Sequence, residues 1–275
     1  DDSLGINLSK IILEGPKDEL DLTINTQPAI FLISYSIFQV MKKEFNFDLE
    51  NAKYFAGHSL GEYSALCAAK YLSFSDTIKL LKIRGEAMQN AVPNGEGGMY
   101  AILGVEIEEI NKIINENINK FRCFVANDNT IGQAVVSGKL NSLKFLGEEL
   151  KKKNIKFIPL PVSAPFHCPL MKNAKDEMEN RILETKFNDP QVSIISNVTA
   201  EPQNKSEDIK KLLIQQIEKP VRWRESVNTM INNGVNKFIE VGPGKVLSGL
   251  IKRIDRKVKL NQVNNLIDIK NITND

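Results

Sequence analysis

Gly57-His58-Ser59-Leu60-Gly61 stands between the apolar run Tyr54-Phe55-Ala56 and the small-residue run Glu62-Tyr63-Ser64-Ala65-Leu66-Cys67-Ala68-Ala69. The first run reads as the end of a buried strand, the second as the opening turns of a helix. A serine on so sharp a strand-to-helix turn has a strained backbone that lifts its hydroxyl clear of the fold. Side chains at the flanking glycines would block the turn or the approach of a substrate. The nascent helix aims backbone N–H groups and a positive dipole end at the same point, where an oxyanion could be held. The stretch therefore predicts an α/β fold with Ser59 as a nucleophile. The competing reading is a tight turn whose serine has no chemical consequence.

Bulk properties narrow the class. A chain of 275 residues suffices for one large domain, or a large one with a smaller insert. Hydrophobic residues at 42% and charged residues at 25% are ordinary for a soluble globular protein. A net charge of +2, with no long basic run, argues against nucleic acid as a partner. No apolar run approaches the roughly 20 residues a membrane span requires; the richest, Ala29 to Phe38, is short and contains serines. Cys67, Cys123 and Cys168 lack C-x-x-C spacing, which disfavours a disulfide framework or a zinc site and favours a reducing compartment. No metal and no tightly held cofactor is expected. No signal or transit peptide is visible, and Asp1-Asp2-Ser3 is an odd beginning that suggests a trimmed start.

Along the chain, Ala29 to Phe45 has apolar residues at near-helical spacing, with Pro28 expected in its first turn. Asp76 to Val92 predicts a second amphipathic helix capped by Ser75. Pro93 to Gly98 breaks the pattern. Beyond it come a strand at Met99–Gly104, a helix at Glu106–Ile118 and a strand pair at Arg122–Ala126 and Gln133–Ser137. A helix at Leu140–Lys153 and a strand at Lys156–Leu160 complete the unit. That β-α-β-β-α-β order is the signature of a ferredoxin-like subdomain, placed at 96–161. The segments 1–95 and 162–275 then form an α/β, hydrolase-like core with a mostly parallel sheet. Its second part carries strands at Val192–Ser196 and Lys237–Val241, and helices at Leu170–Leu183, Ile209–Ile217, Ser226–Asn232 and Val246–Ile254. The tail from Asn261 onward carries little signal.

A nucleophilic serine needs a base, usually histidine, and this chain has two. His58 precedes Ser59 directly, and neighbouring residues on a strand point to opposite faces, so a packed, hydrogen-bonded histidine is the better reading. His167 lies in the proline-flanked loop Val162 to Cys168, the kind of segment that carries catalytic residues. No carboxylate occupies an obvious position to orient its ring. Glu240 is a guess, and a neutral acceptor such as a backbone carbonyl would make a dyad instead. Arg84 sits on the flank of an apolar helical stripe, followed by Gly85. It could grip a carboxylate bidentately or lie exposed beside Glu86. Gly242-Pro243-Gly244 could cradle a phosphate, but a plain strand-to-helix turn is the simpler reading.

Taken together, these pieces resemble the malonyl-CoA:acyl-carrier-protein transacylase family over most of the chain. The carrying stretches are Thr26-Gln27-Pro28-Ala29, Gly57 to Glu62, Arg84-Gly85 with Met88-Gln89, and Asn127-Asp128-Asn129 with Gln133. Val162 to Cys168, Pro220-Val221-Arg222-Trp223 and Glu240 to Lys245 follow in the family's order. The resemblance implies a hydrolase-like core with a ferredoxin-like insert, and ping-pong transfer of malonyl from coenzyme A to the phosphopantetheine thiol of acyl carrier protein. It implies Ser59 as nucleophile, His167 as general base, Gln216 as the residue whose carbonyl orients the imidazole, and the Leu60 N–H as an oxyanion donor. It also implies Arg84 on the malonyl carboxylate, Asn127 and His58 lining the substrate cleft, and Phe166 crowding out an α-methyl branch. Coenzyme A thioester is then a substrate, not a cofactor. Family members open with a strand and a Gly-Gln-Gly motif that supplies a second oxyanion donor, and none precedes Leu4 here.

Lys252-Arg253, with Arg256, Lys257 and Lys259, makes a basic cluster that could steer an acidic carrier protein, or could simply complement a helix C-terminus. The rival functions are a serine esterase or thioesterase, and a carrier-binding module without catalysis. A monomer is expected, in a plastid-like organelle (apicoplast) or a bacterial cytoplasm; the Asn, Lys and Ile bias favours the organelle.

Overall fold

The computed structural model describes residues 1–47, 52–162 and 164–273. Ser163, inside the expected catalytic loop, lies outside the described residues. Helices α1 (Leu8–Glu14), α2 (Lys17–Asp21) and α3 (Thr23–Glu44) lead to β1 (Tyr54–Phe55), α4 (Leu60–Ala68) and α5 (Phe74–Asn90). Then come β2 (Gly97–Leu103), α6 (Ile107–Glu116), β3 (Cys123–Thr130), β4 (Gln133–Lys139), α7 (Leu140–Lys152) and β5 (Lys156–Pro159). A short 3-10 turn at Pro169–Met171 opens α8 (Lys172–Glu184), followed by β6 (Ser193–Ile195), β7 (Pro202–Gln203), α9 (Ser206–Gln216) and α10 (Trp223–Asn232). The chain closes with β8 (Lys237–Val241), α11 (Val246–Ile254), β9 (Lys259–Val263) and α12 (Leu266–Thr273).

Two helix starts differ from expectation. The cap of α5 is Ser73, whose extended backbone lets its Oγ accept the Asp76 N–H at 3.0 Å. Ser75 already lies in the first turn, and Phe74 stacks on Phe31 at 5.5 Å between ring centroids. Helix α3 begins at Thr23, so Pro28 stands inside it. The added turn is anchored by polar side chains, the buried Asn25 and the half-buried Thr26. Asn25 Nδ2 donates to the Glu19 carbonyl at 2.9 Å, and Thr26 Oγ1 to the Leu20 carbonyl at 2.6 Å.

The chain is α/β, with several small sheets where one mostly parallel sheet was expected. Strand β1 runs parallel to β6, which pairs antiparallel with β7; β8 and β9 form a separate parallel pair. A cavity of about 760 Å³ separates these two sheets, bordered by Tyr54, Ala56 and Gly57 on one side and Phe238, Glu240 and Gly242 on the other. The main core packs Phe31, Leu66, Leu81, Met88, Ile194 and Leu213 between helices and β6. Residues 97–159 contribute an antiparallel sheet of order β3-β4-β2-β5, with its own core around Ile102, Ile110, Val136 and Leu146. This sheet joins the rest through the Val221 peptide, which donates to the Ala126 carbonyl at 2.8 Å and accepts the Asp128 N–H at 3.0 Å. Arg224 adds an ion pair to Asp128 at 2.9 Å.

The tail is structured. Strand β9 aligns with β8 from Lys237↔Lys259 to Val241↔Val263, and α12 buries Ile269 and Ile272 against Met41. Among the described residues, no helix is long and apolar enough to cross a membrane.

Candidate active site

Strand β1 ends one turn before α4, and Ser59 fills the corner with φ 55° and ψ −111°. Positive φ in a non-glycine residue is strained and persists only where the surroundings enforce it. A Cβ on Gly57 would stand 1.9 Å from the Gly61 carbonyl oxygen, so only glycine permits the turn. Asn197, after β6, clamps the corner: its Oδ1 accepts the Ser59 N–H at 2.7 Å and its Nδ2 donates to the Gly57 carbonyl at 2.8 Å. Leu60 is the first residue of α4, so its N–H has no carbonyl partner within that helix.

His167 comes from the loop before the 3-10 turn and is itself held at φ 55°. Its Nε2 lies 2.7 Å from Ser59 Oγ, and its Nδ1 lies 2.8 Å from the Gln216 backbone carbonyl. A carbonyl can only accept, so the proton resides on Nδ1 and the Nε2 lone pair faces the serine hydroxyl. Burial, followed by the Arg84 guanidinium, pushes the imidazole down to about 3. At neutral pH it is an uncharged acceptor for the Ser59 proton.

Arg84 is wholly buried on α5. Its Nη2 donates to Ser59 Oγ at 3.1 Å and to Gln216 Oε1 at 2.8 Å, while Nη1 donates to Gln27 Oε1 at 2.6 Å. Among the described residues, no carboxylate lies within ion-pair distance of it. The exposed-arginine alternative is thereby removed. A buried guanidinium surrounded by neutral acceptors leaves its charge available to an incoming anion.

Other expected residues fall around this centre. His58 turns to Asn129, with Nε2 at 2.9 Å from Oδ1, and its ring packs 5.7 Å from that of Trp223. Asn127 is buried on β3 and bridges to Val221 through its backbone. Phe166 is half-buried beside His167, and its carbonyl accepts the Ser137 hydroxyl at 2.6 Å. Glu240 is not part of the dyad: its oxygens accept the Leu247 and Ser248 N–H groups at 3.0 and 2.8 Å, capping α11. Gly242 sits against α3, where a Cβ would meet Ser34 Oγ at 2.3 Å. Lys252 and Arg253 are exposed in the last turn of α11, and Arg253 reaches Gln133 Oε1 at 2.7 Å.

Three participants were missed as site residues. Gln27 lies in a stretch already singled out, but nothing there marks it as a partner of Arg84. Asn197 has no local signature at all. Glu62, the residue closing the elbow motif, is buried and accepts from Gln216 Nε2 at 2.7 Å and the Asn197 N–H at 3.2 Å.

The acyl transferase domain family matches residues 1–268. A malonyl CoA-acyl carrier protein transacylase of Bacillus subtilis (strain 168) is 43% identical over 263 residues, covering 94% of this chain and 81% of that protein. The crystal structure of an acyl-carrier-protein-S-malonyltransferase from Bartonella henselae superposes with a TM-score of 0.96 at 42% identity, over 100% of this chain and 88% of that one. A type II PKS acyl-carrier protein in complex with its malonyl-transacylase gives a TM-score of 0.95 at 36% identity, over 99% and 88% of the two chains. With a strained serine, a neutral imidazole and a buried arginine meeting inside that shared fold, the chain belongs to the malonyl CoA-acyl carrier protein transacylases of the acyl transferase domain family.

Proposed function

We infer that the chain transfers the malonyl group from malonyl-CoA to acyl carrier protein in fatty-acid synthesis. The observation that carries the residue-level reading is the buried Arg84 guanidinium, one hydrogen bond from the Ser59 hydroxyl. In a malonyl ester one methylene separates the ester carbonyl from the free carboxylate, so a cation beside Oγ suits a short dicarboxylic acyl group. A simple esterase has no need of it.

The geometry at Ser59 and His167 supports the following steps. Ser59 Oγ attacks the thioester carbon while His167 Nε2 takes its proton, and the Gln216 carbonyl stabilises the imidazolium through Nδ1. The Leu60 N–H and the positive end of α4 face the oxyanion. Leu60 also lines the cavity between β1 and β8. Collapse expels the coenzyme A sulfur, which takes the proton from His167, and leaves malonyl-Ser59. The carrier's phosphopantetheine thiol gives its proton to His167 and attacks the ester, and the second collapse returns that proton to Ser59 Oγ. Arg84 holds the malonyl carboxylate throughout, Asn127 and His58 line the cleft, and Phe166 opposes an α-branched acyl group.

We place these groups in a hydrolase-like core of 1–95 and 162–275, with a ferredoxin-like insert at 96–161. Its strand order and β-α-β-β-α-β succession support that division. The carrier docks near Lys252 and Arg253 by charge, and the enzyme acts as a monomer. The compartment is a bacterial cytoplasm or a plastid-like organelle, the latter resting only on composition.

The test is mass spectrometry and kinetics with malonyl-CoA. The protein gains one malonyl adduct, Ser59→Ala gains none, and Arg84→Ala loses the preference for malonyl-CoA over acetyl-CoA. A malonyl preference that survives Arg84→Ala overturns the residue-level reading.

A further inference from the structure

The Gln216 carboxamide lies between two buried charges. Its Oε1 accepts from Arg84 Nη2 at 2.8 Å, and its Nε2 donates to Glu62 Oε2 at 2.7 Å and to the Ser59 carbonyl at 3.0 Å. Glu62 and Arg84 are each 1% exposed. Glu62 has no cation within ion-pair distance among the described residues, so its charge is balanced only across one amide.

We propose that Glu62 is a positioning residue that sets, through the Gln216 amide, how strongly Arg84 selects a carboxylate-bearing acyl group. This rests on the reading that Arg84 binds the malonyl carboxylate. In the free enzyme with Glu62 ionised, the pocket holds one buried cation and one buried anion. A malonyl group adds a second anion, and two carboxylates then compete for one guanidinium where water cannot screen them. Ionised Glu62 therefore weakens malonyl binding, and protonated Glu62 permits it in full. By linkage, malonyl binding draws a proton onto Glu62, while an acetyl group, carrying no charge, does not.

The groups facing Glu62 isolate the effect. Arg84 on α5 stays charged, and Gln216 on α9 and Asn197 after β6 are neutral. Burial pushes Tyr63, beside it on α4, up to about 12. His167 is held down at about 3, and His58 is lowered from 6.5, so both are neutral above that value. Burial raises the Glu62 carboxyl to about 7, opposed by Gln216, the Asn197 N–H and Arg84. Of these groups, Glu62 alone changes charge between about pH 6.5 and 8.5.

The experiment compares kcat/KM for malonyl-CoA and acetyl-CoA loading in the parent, Glu62→Gln, Glu62→Asp and Arg84→Ala. Titrations common to both thioesters cancel in the ratio. The parent's malonyl/acetyl ratio rises on the order of tenfold as pH falls from about 8.5 to 6.5. Glu62→Gln fixes the ratio at its high, low-pH value, and Glu62→Asp restores the pH dependence. A pH-independent ratio in the parent overturns the proposal without any variant being needed. So does a Glu62→Gln ratio at or below the parent's at about pH 8.5. A ratio unmoved by Arg84→Ala instead refutes the underlying assignment of Arg84, so the two failures are distinct.

Discussion

Asn197 holds the strained serine corner through its backbone, accepting the Ser59 N–H and donating to the Gly57 carbonyl. Replacing it with alanine leaves the buried Gly57 carbonyl and the half-buried Ser59 N–H without partners, at about 1–3 kcal/mol of stability. Relaxation of the corner also moves Oγ off the imidazole. Asn197→Ala is therefore expected to lower kcat for malonylation more than it raises KM; urea unfolding and steady-state kinetics check the two effects separately. Ser59 was legible because its elbow is written in contiguous letters, a glycine-flanked serine between a strand and a helix. Asn197 was silent because both its partners are main-chain groups far back in the sequence. Gln216 had no mark of its own, since a backbone carbonyl leaves no trace in residue type; only the family resemblance pointed to it.

Among the elements, α5 carries Arg84, and its start fixes the register in which that side chain faces Ser59. Ser73→Ala is expected to cost about 1 kcal/mol, whereas Ser75→Ala changes stability little, as thermal or urea denaturation would show. The reverse order would reinstate Ser75 as the cap. Both serines precede an acidic residue and an apolar run, so the sequence alone does not choose between them. The choice is made by Phe74, which stacks on α3. Strand β8 and helix α11 match their sequence-based boundaries because a short run rich in Phe, Ile and Val stops at the Gly242-Pro243-Gly244 turn, after which helix-compatible residues begin. Strand β9 did not declare itself. Lys259-Leu260-Asn261-Gln262-Val263 is mostly polar, and it is a strand because β8 offers it a parallel edge. Pattern reading fails where pairing, not composition, makes the element.

For the whole molecule, the buried Glu62 and His167 oppose each other in the pH dependence of stability. The folded pKa of Glu62 is raised from 4.5 to about 7, so the native state holds an extra proton in that window and its stability falls as pH rises through it. The folded pKa of His167 is lowered from 6.5 to about 3, so the unfolded state holds the extra proton and stability falls as pH drops through that window. Where the windows overlap the two slopes offset. Glu62→Gln removes one of them. Between about pH 4.5 and 6.5 its stability should therefore fall on acidification more steeply than the parent's, by up to about 1.4 kcal/mol per pH unit, measured by denaturant titration. Parallel curves would show that Glu62 titrates as an ordinary carboxylate. The four-stranded sheet meets the rest of the fold at the Val221 peptide, which is joined through the buried Ile217 to Gln216. A tilt of the sheet would therefore be felt first at Val221, a short way along the chain from the Gln216 carbonyl that meets the His167 ring. Amide exchange at Val221 and Asp128 should slow when carrier protein is added, and unchanged exchange would show that the junction is idle. If slowing is seen, the Val221 crossing is the point through which a bound partner is sensed along the chain leading back to the His167 contact.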